Sequence, residues 1–107
     1  MDFLKTLRHA NIERDKEWNP DKVISLSFRG NETAGELGEA CNILKKLERV
    51  ELGLVGSKST PEALAEELAD VMICIDLIAM EFDIDMIEAI RKKFNKTSSE
   101  CNLNVFL

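Results

Sequence analysis

Four carboxylates stand out by type and spacing. Glu36 and Glu39 are three apart in the segment GELGEA, and Glu67 and Asp70 are three apart in EELADV. Both segments carry helical patterning, and side chains three apart on a helix share a face, one turn along. Two acids so placed repel each other, so local helix energetics gives no reason for them. Two such helices lying side by side can aim all four carboxylates into one cleft. An oxygen-lined cleft of this kind suits a hard cation such as Mg²⁺. A divalent cation held among carboxylates in turn suits chemistry on a phosphorylated substrate.

The ordinary place for a helical glutamate is a solvated face. Asp70 fits that place poorly, because Leu68, Ala69, Val71, Met72 and Ile73 surround it in the chain. A desolvated, unpaired Asp there costs several kcal/mol. Gly35 and Gly38 interleave with the first pair of acids, and each costs about 1 kcal/mol relative to Ala inside a helix. Small residues beside acids suggest something that approaches the helix closely. Carboxylate bundles that hold di-iron centres use Glu-x-x-His. The only histidine is His9, far from both motifs, so a di-iron site is not expected and His9 reads as a surface residue.

Other residues have good ordinary explanations. Arg91, Lys92 and Lys93, with Lys96 beyond, sit where cations complement a helix C-terminus; a phosphate contact is the competing role. Trp18, the sole tryptophan, reads first as a packing residue and second as a platform for a base. Cys41, Cys74 and Cys101 are odd in number, without zinc-type spacing. They read as reduced thiols of a cytoplasmic protein, with Cys41 and Cys74 on inward faces as small hydrophobes.

The elements that must carry these residues are helices. Tyrosine is absent and the β-branched residues lie inside helical patterns. A first helix is expected from after Asp2, with Phe3, Leu4 and Leu7 on its apolar side, to about Trp18, where Asn19-Pro20 breaks it. Residues 20 to 30 read as a short turn and then a loop through Ser27-Phe28-Arg29-Gly30. A second helix is expected from about Glu32 to Leu52, with Leu37, Ala40, Cys41, Leu44 and Leu47 facing inward. Gly53, Gly56 and Ser57-Lys58-Ser59 form the loop after it.

Thr60-Pro61 restarts the chain, a capping hydroxyl followed by proline at the first helical position. The third helix is apolar around most of its circumference, through Leu64, Leu68, Val71, Met72, Ile75, Ile78, Ala79 and Phe82, and should be the most buried element. Asp85 with Glu88 reads as an acidic capping box opening a fourth helix that carries Met86, Ile87, Ile90 and Phe94. An irregular tail follows Asn95. The sum is an all-α, four-helix bundle-like domain, with one apolar helix too large for a lone short chain to cover and hence a homo-oligomer.

Size and charge agree. The 107 residues suit one domain, 1–107, and 45% hydrophobic with 32% charged residues argues against disorder. The net charge of −6 speaks against a nucleic-acid partner. No apolar run spans a bilayer, and MDFLKTLRHA lacks a signal-peptide core.

Glu36-Leu-Gly-Glu39 and Glu67-Leu-Ala-Asp70, with 27 residues between them, resemble the paired motifs of the all-α nucleoside triphosphate pyrophosphohydrolases, the MazG-like family. The likeness continues through KKLER at 45–49, GLVGS at 53–57 and KFNKTS at 93–98, covering about residues 15 to 100. The resemblance implies a MazG-type fold and Mg²⁺, with Mn²⁺ as a substitute, held by Glu36, Glu39, Glu67 and Asp70. It implies cleavage of a (deoxy)nucleoside triphosphate to monophosphate and pyrophosphate, in the service of nucleotide-pool cleansing. Glu66 is a candidate outer acid. Asn95, with Lys92, Lys93 and Lys96, matches the family's basic-plus-Asn segment and is expected to touch the nucleotide, as is Trp18. Relatives with a Lys four residues before this Asn differ from the present chain, which has Arg91. Homodimers or homotetramers are the family's assemblies. The competing reading is a non-catalytic helical module that binds a nucleotide or a protein.

Overall fold

The computed structural model describes residues 2–107, and within them every regular element is a helix: α1 (Phe3–Trp18), α2 (Leu26–Leu52), α3 (Pro61–Glu81) and α4 (Met86–Glu100). None is long and apolar enough to cross a membrane.

Side chains cap all four helix starts. Asp2 accepts from the Leu4 N–H, Ser25 from Phe28, Thr60 from Ala63, and Asp85 from both Ile87 and Glu88. Each bond satisfies an amide with no partner inside its helix. Gly53 ends α2 at φ 67°, a left-handed position that glycine adopts without steric cost. The capping box at the head of α4 is only half formed, since Glu88 pairs with Arg91 rather than reaching back.

Two boundaries differ from the sequence expectation. α2 begins at Leu26, six residues before Glu32, because Ser25 caps a turn through Phe28-Arg29-Gly30 that reads from composition as loop. α4 runs past Asn95 to Glu100, with Ser98 buried. Ser and Thr weaken a helix only slightly, so a polar stretch need not end one.

The main interhelical packing joins α2 to α3 and α1 to α3. As expected, α3 is the most buried helix, contributing Cys74, Asp76, Leu77 and Ala79 to the interior. α4 makes no comparable interface. Its first turn lies near Leu4 and Arg8 of α1, and the rest carries an apolar groove of Met86, Ala89, Ile90, Phe94 and Leu103 that no residue of α1, α2 or α3 lines. Leu37, Cys41 and Leu44, expected inward, are exposed, whereas Ala40 is buried and Leu47 half-buried. The helical period identifies an apolar side; in one chain nothing covers the outer part of it.

Polar contacts fix α1. Arg29, 2% exposed, donates from Nη2 to Asp15 Oδ1 at 2.9 Å and from Nε to Glu81 Oε1 at 3.0 Å, tying α2 to α1 and α3. Arg8 Nε and Asn11 Nδ2 both donate to Asp76, at 3.0 and 2.9 Å. Arg8 also donates to the Ile84 carbonyl at 2.8 Å. Replacing Arg29 with Met should lower the unfolding free energy by about 3 kcal/mol, because Asp15 is left buried without its partner. Urea denaturation measures this, and a loss under about 1 kcal/mol would mean that the pair is not desolvated.

Candidate functional site

The antiparallel contact of α2 with α3 brings Glu36, Glu67 and Asp70 together. One carboxylate oxygen from each lies within 4.8 Å of the others. Glu36 Oε2 and Glu67 Oε2 are buried and accept no hydrogen bond. With every acid ionised there is no donor among them, so a proton, a cation or a water molecule has to satisfy these oxygens. Burial first, and then the charges of Glu39 and Asp70, push the Glu36 carboxyl above its ordinary range. For Glu67 a side-chain hydrogen bond with Glu39 comes first, followed by burial and the charges of Glu39, Glu36 and Asp70, all raising its carboxyl. Glu39 thus stands beside the three-residue cluster. An all-carboxylate donor set with two orphaned oxygens fits a hard divalent cation, and three oxygens leave room for water or substrate ligands.

Glu36 and Asp70 also line a cavity of about 480 Å³ between α1, α2 and α3, within the size range of small-molecule sites. Trp18, 58% exposed, forms part of its wall. So do four polar residues to which the sequence assigns no site role: Asn11, Arg14, Asp15 and Glu32. Arg14 is the one cation on this wall and makes no ion pair among those found in the described residues. Its signal in the sequence is four-residue spacing from Trp18, which puts both on one face of α1. Cys74 is buried there as expected, 3.7 Å from Glu32 Oε1, and burial pushes its thiol up to about 11. It is not a thiolate nucleophile.

Other expected members lie elsewhere. None of Lys92, Lys93, Asn95 and Lys96 lines the cavity. The Asn95 side chain is engaged with the tail, accepting from the Leu107 N–H at 2.8 Å and donating to the Leu107 carbonyl at 3.1 Å. Lys93 lines the apolar groove of α4, and Lys96 stands 3.9 Å from Glu100. Gly35 and Gly38 face open space, with no atom within 4 Å of where a Cβ would stand, so nothing in this chain makes the close approach expected there. Comparison with family models, with curated proteins and with solved structures found no match to the chain.

Crowded acids give a signed prediction. The raised carboxyls of Glu36 and Glu67 bind protons more tightly folded than unfolded, so protonation favours the native state. Their contribution is present below the ordinary carboxyl value of 4.5 and is lost as pH rises through the raised native values. In EDTA, Glu67→Gln should therefore match or exceed the parent's melting temperature, with the advantage growing as pH rises across that window. Mg²⁺ should raise the parent's melting temperature more than the variant's. A variant clearly less stable in EDTA would make Glu67 a structural acceptor instead.

Proposed function

We infer that the chain is a Mg²⁺-dependent nucleoside triphosphate pyrophosphohydrolase of MazG-type fold, acting in nucleotide-pool cleansing. The observation that carries this reading is the convergence of Glu36, Glu67 and Asp70 from two helices at the edge of a cavity, with two of their oxygens buried and unpartnered. The paired acid motifs and their likeness to the MazG-like family supply the reaction.

On this reading Glu36, Glu39, Glu67 and Asp70 hold the metal. A divalent cation there neutralises a triphosphate and lowers the pKa of bound water. The carboxylates fix that charge at the cavity edge, so the phosphate chain lies against the acids and the nucleoside extends into the cavity. Trp18 offers a face for the base. Arg14 is placed to meet phosphate or ribose oxygens. Water attacks the α-phosphorus and gives its proton to a site glutamate or to Glu66, the bond from that phosphorus to the α–β bridging oxygen breaks, and pyrophosphate leaves with the electron pair.

Asn95, Lys92, Lys93 and Lys96 keep a nucleotide role only if another copy supplies them, since those of the same chain do not line the cavity. A homo-oligomer is therefore part of the reading.

A panel of common NTPs and dNTPs with Mg²⁺, scored separately for pyrophosphate and orthophosphate, tests it. Pyrophosphate release from at least one member is expected, and Asp70→Asn should lower kcat by about a hundredfold or more, roughly 3 kcal/mol of transition-state stabilisation. Stepwise orthophosphate would indicate a different phosphatase chemistry. No turnover and no metal-dependent nucleotide binding would favour a non-catalytic interaction module. Arg14→Ala should raise KM about tenfold or more, the scale of a lost charge-assisted hydrogen bond. An unchanged KM would remove Arg14 from the site.

A further inference from the structure

Beyond the acids at its edge, the cavity between α1, α2 and α3 carries two further hydrogen-bond acceptors, supplied by Asn11 and Glu32. Asn11 is 1% exposed, and its neighbours fix its orientation. Nδ2 donates to Asp76 Oδ2 at 2.9 Å and to the Ile73 carbonyl at 3.4 Å. A carboxylate paired with Arg8 and a backbone carbonyl can only accept, so the amide cannot be turned over. Oδ1 is then the polar atom left. It accepts no hydrogen bond among the described residues, yet it is not one of the fully enclosed orphan oxygens. Asp76 does not line this cavity, so the nitrogen is aimed off its wall and Oδ1 is what Asn11 offers to a ligand.

Glu32 stands beside it. The Cys74 thiol donates to Glu32 Oε1 at 3.7 Å, a weak bond that holds the side chain toward α3. Oε2 accepts nothing among the described residues, and Glu32 makes no ion pair among them. Asp15, on the same wall, is already engaged by Arg29 and Asn19. Ile73 and Cys74, which locate the two acceptors, follow Asp70 by three and four residues, so both acceptors lie about 5 Å along α3 from the acids. Ile73, Cys74 and Leu77 make the wall around them apolar.

Such a surface suits a flat ring whose faces lie on apolar side chains and whose edge donates. A sugar carries hydroxyls on several sides and would leave some of them unpaired against Ile73 and Leu77. Among bases, an exocyclic amino group donates without accepting, and acceptance of the cytosine amino group by a glutamate is an established pairing. A carbonyl in that place sets oxygen against oxygen and leaves both without a donor.

We propose that the cavity selects nucleotides whose base carries an exocyclic amino group, with Glu32 and the Asn11 carbonyl as its acceptors, over those with a carbonyl oxygen or a hydrogen in that place. The inference rests on the functional reading, since it takes the phosphates to lie at the acids and the base beyond them.

Calorimetry with Mg²⁺ and the α,β-methylene analogues of dCTP, dUTP, dGTP and dITP tests this without turnover, because carbon replaces the bridging oxygen of the bond to be cleaved. In at least one matched pair, dCTP against dUTP or dGTP against dITP, the amino-bearing member should bind about tenfold or more tightly, the scale of one hydrogen bond to a charged group. Glu32→Gln keeps the shape and adds a donor, so that preference should fall about fivefold or more, chiefly through tighter binding of the carbonyl-bearing member. Glu32→Ala should reduce it by weakening the amino-bearing one. Equal affinities within both pairs, or a preference that Glu32→Gln leaves unchanged, would overturn base selection while nucleotide binding still upheld the functional reading. Affinity that falls on removing the 3′-hydroxyl and ignores the base would move the acceptors to the sugar and overturn it as well. No binding by any of the four would overturn both. The matched pairs decide the matter in the unaltered protein even if a variant fails to fold.

Discussion

The packing of α2 against α3 is the contact on which both the acid cluster and the uncovered apolar flank depend. It brings acids into a group that would separate if the helices were free, since like charges repel without a cation. Hydrophobic association has to hold them. Ala40 permits close approach, and Cys74, Leu77 and Ala79 provide buried area along α3. Glu36 adjoins Leu37 and Glu67 adjoins Leu68, each pair a single helical step apart. Rotating either helix to part the acids would displace the residues at the centre of the contact, such as Ala40, which is 2% exposed.

α1 is held to this pair in a different way. Asp15–Arg29–Glu81 and Arg8–Asp76–Asn11 are polar contacts among buried or half-buried groups. Such contacts are poor sources of net stability, because desolvation offsets much of the attraction. They are directional, however. Arg29 meets both partners only when α1 crosses at one place, and that place sets Arg14 and Trp18 on the cavity wall. The aromatic face and the cation depend for their position on ion pairs one turn or less away.

Much of this was legible in the residues, and the failures share a cause. Thr60-Pro61, Asp85 and Gly53 act through local bonds, so the elements they bound follow from the sequence. The acid pairs were legible for the same reason, as spacing within a helix implies a shared face. The start of α2 and the end of α4 were not, because Ser25 competes with a composition that resembles loop, and α4 outlasts its apolar pattern. Asp76 sits in the apolar run VMICIDLIAM and carried the same warning as Asp70, but the structure leaves Asp70 exposed and buries Asp76. It found Arg8 and Asn11 instead of a cluster. Sequence spacing identifies an acid that needs a partner; the crossing of a helix from elsewhere in the chain decides whether that partner is an arginine or more acids.

Leu37, Cys41 and Leu44 carry the complementary lesson. Their period placed them on the apolar side of α2, and the chain leaves them uncovered, so the period reports burial without saying which molecule performs it. Acid and apolar rows lie on the same two helices and cannot respond independently. Neutralising Glu36 and Glu67, by a proton or a cation, removes repulsion across the α2–α3 contact. Covering those apolar residues in turn restrains the two helices whose spacing sets the distances among the carboxylates. By linkage, any free energy that cation binding contributes to the hairpin acts reciprocally on whatever covers its other flank.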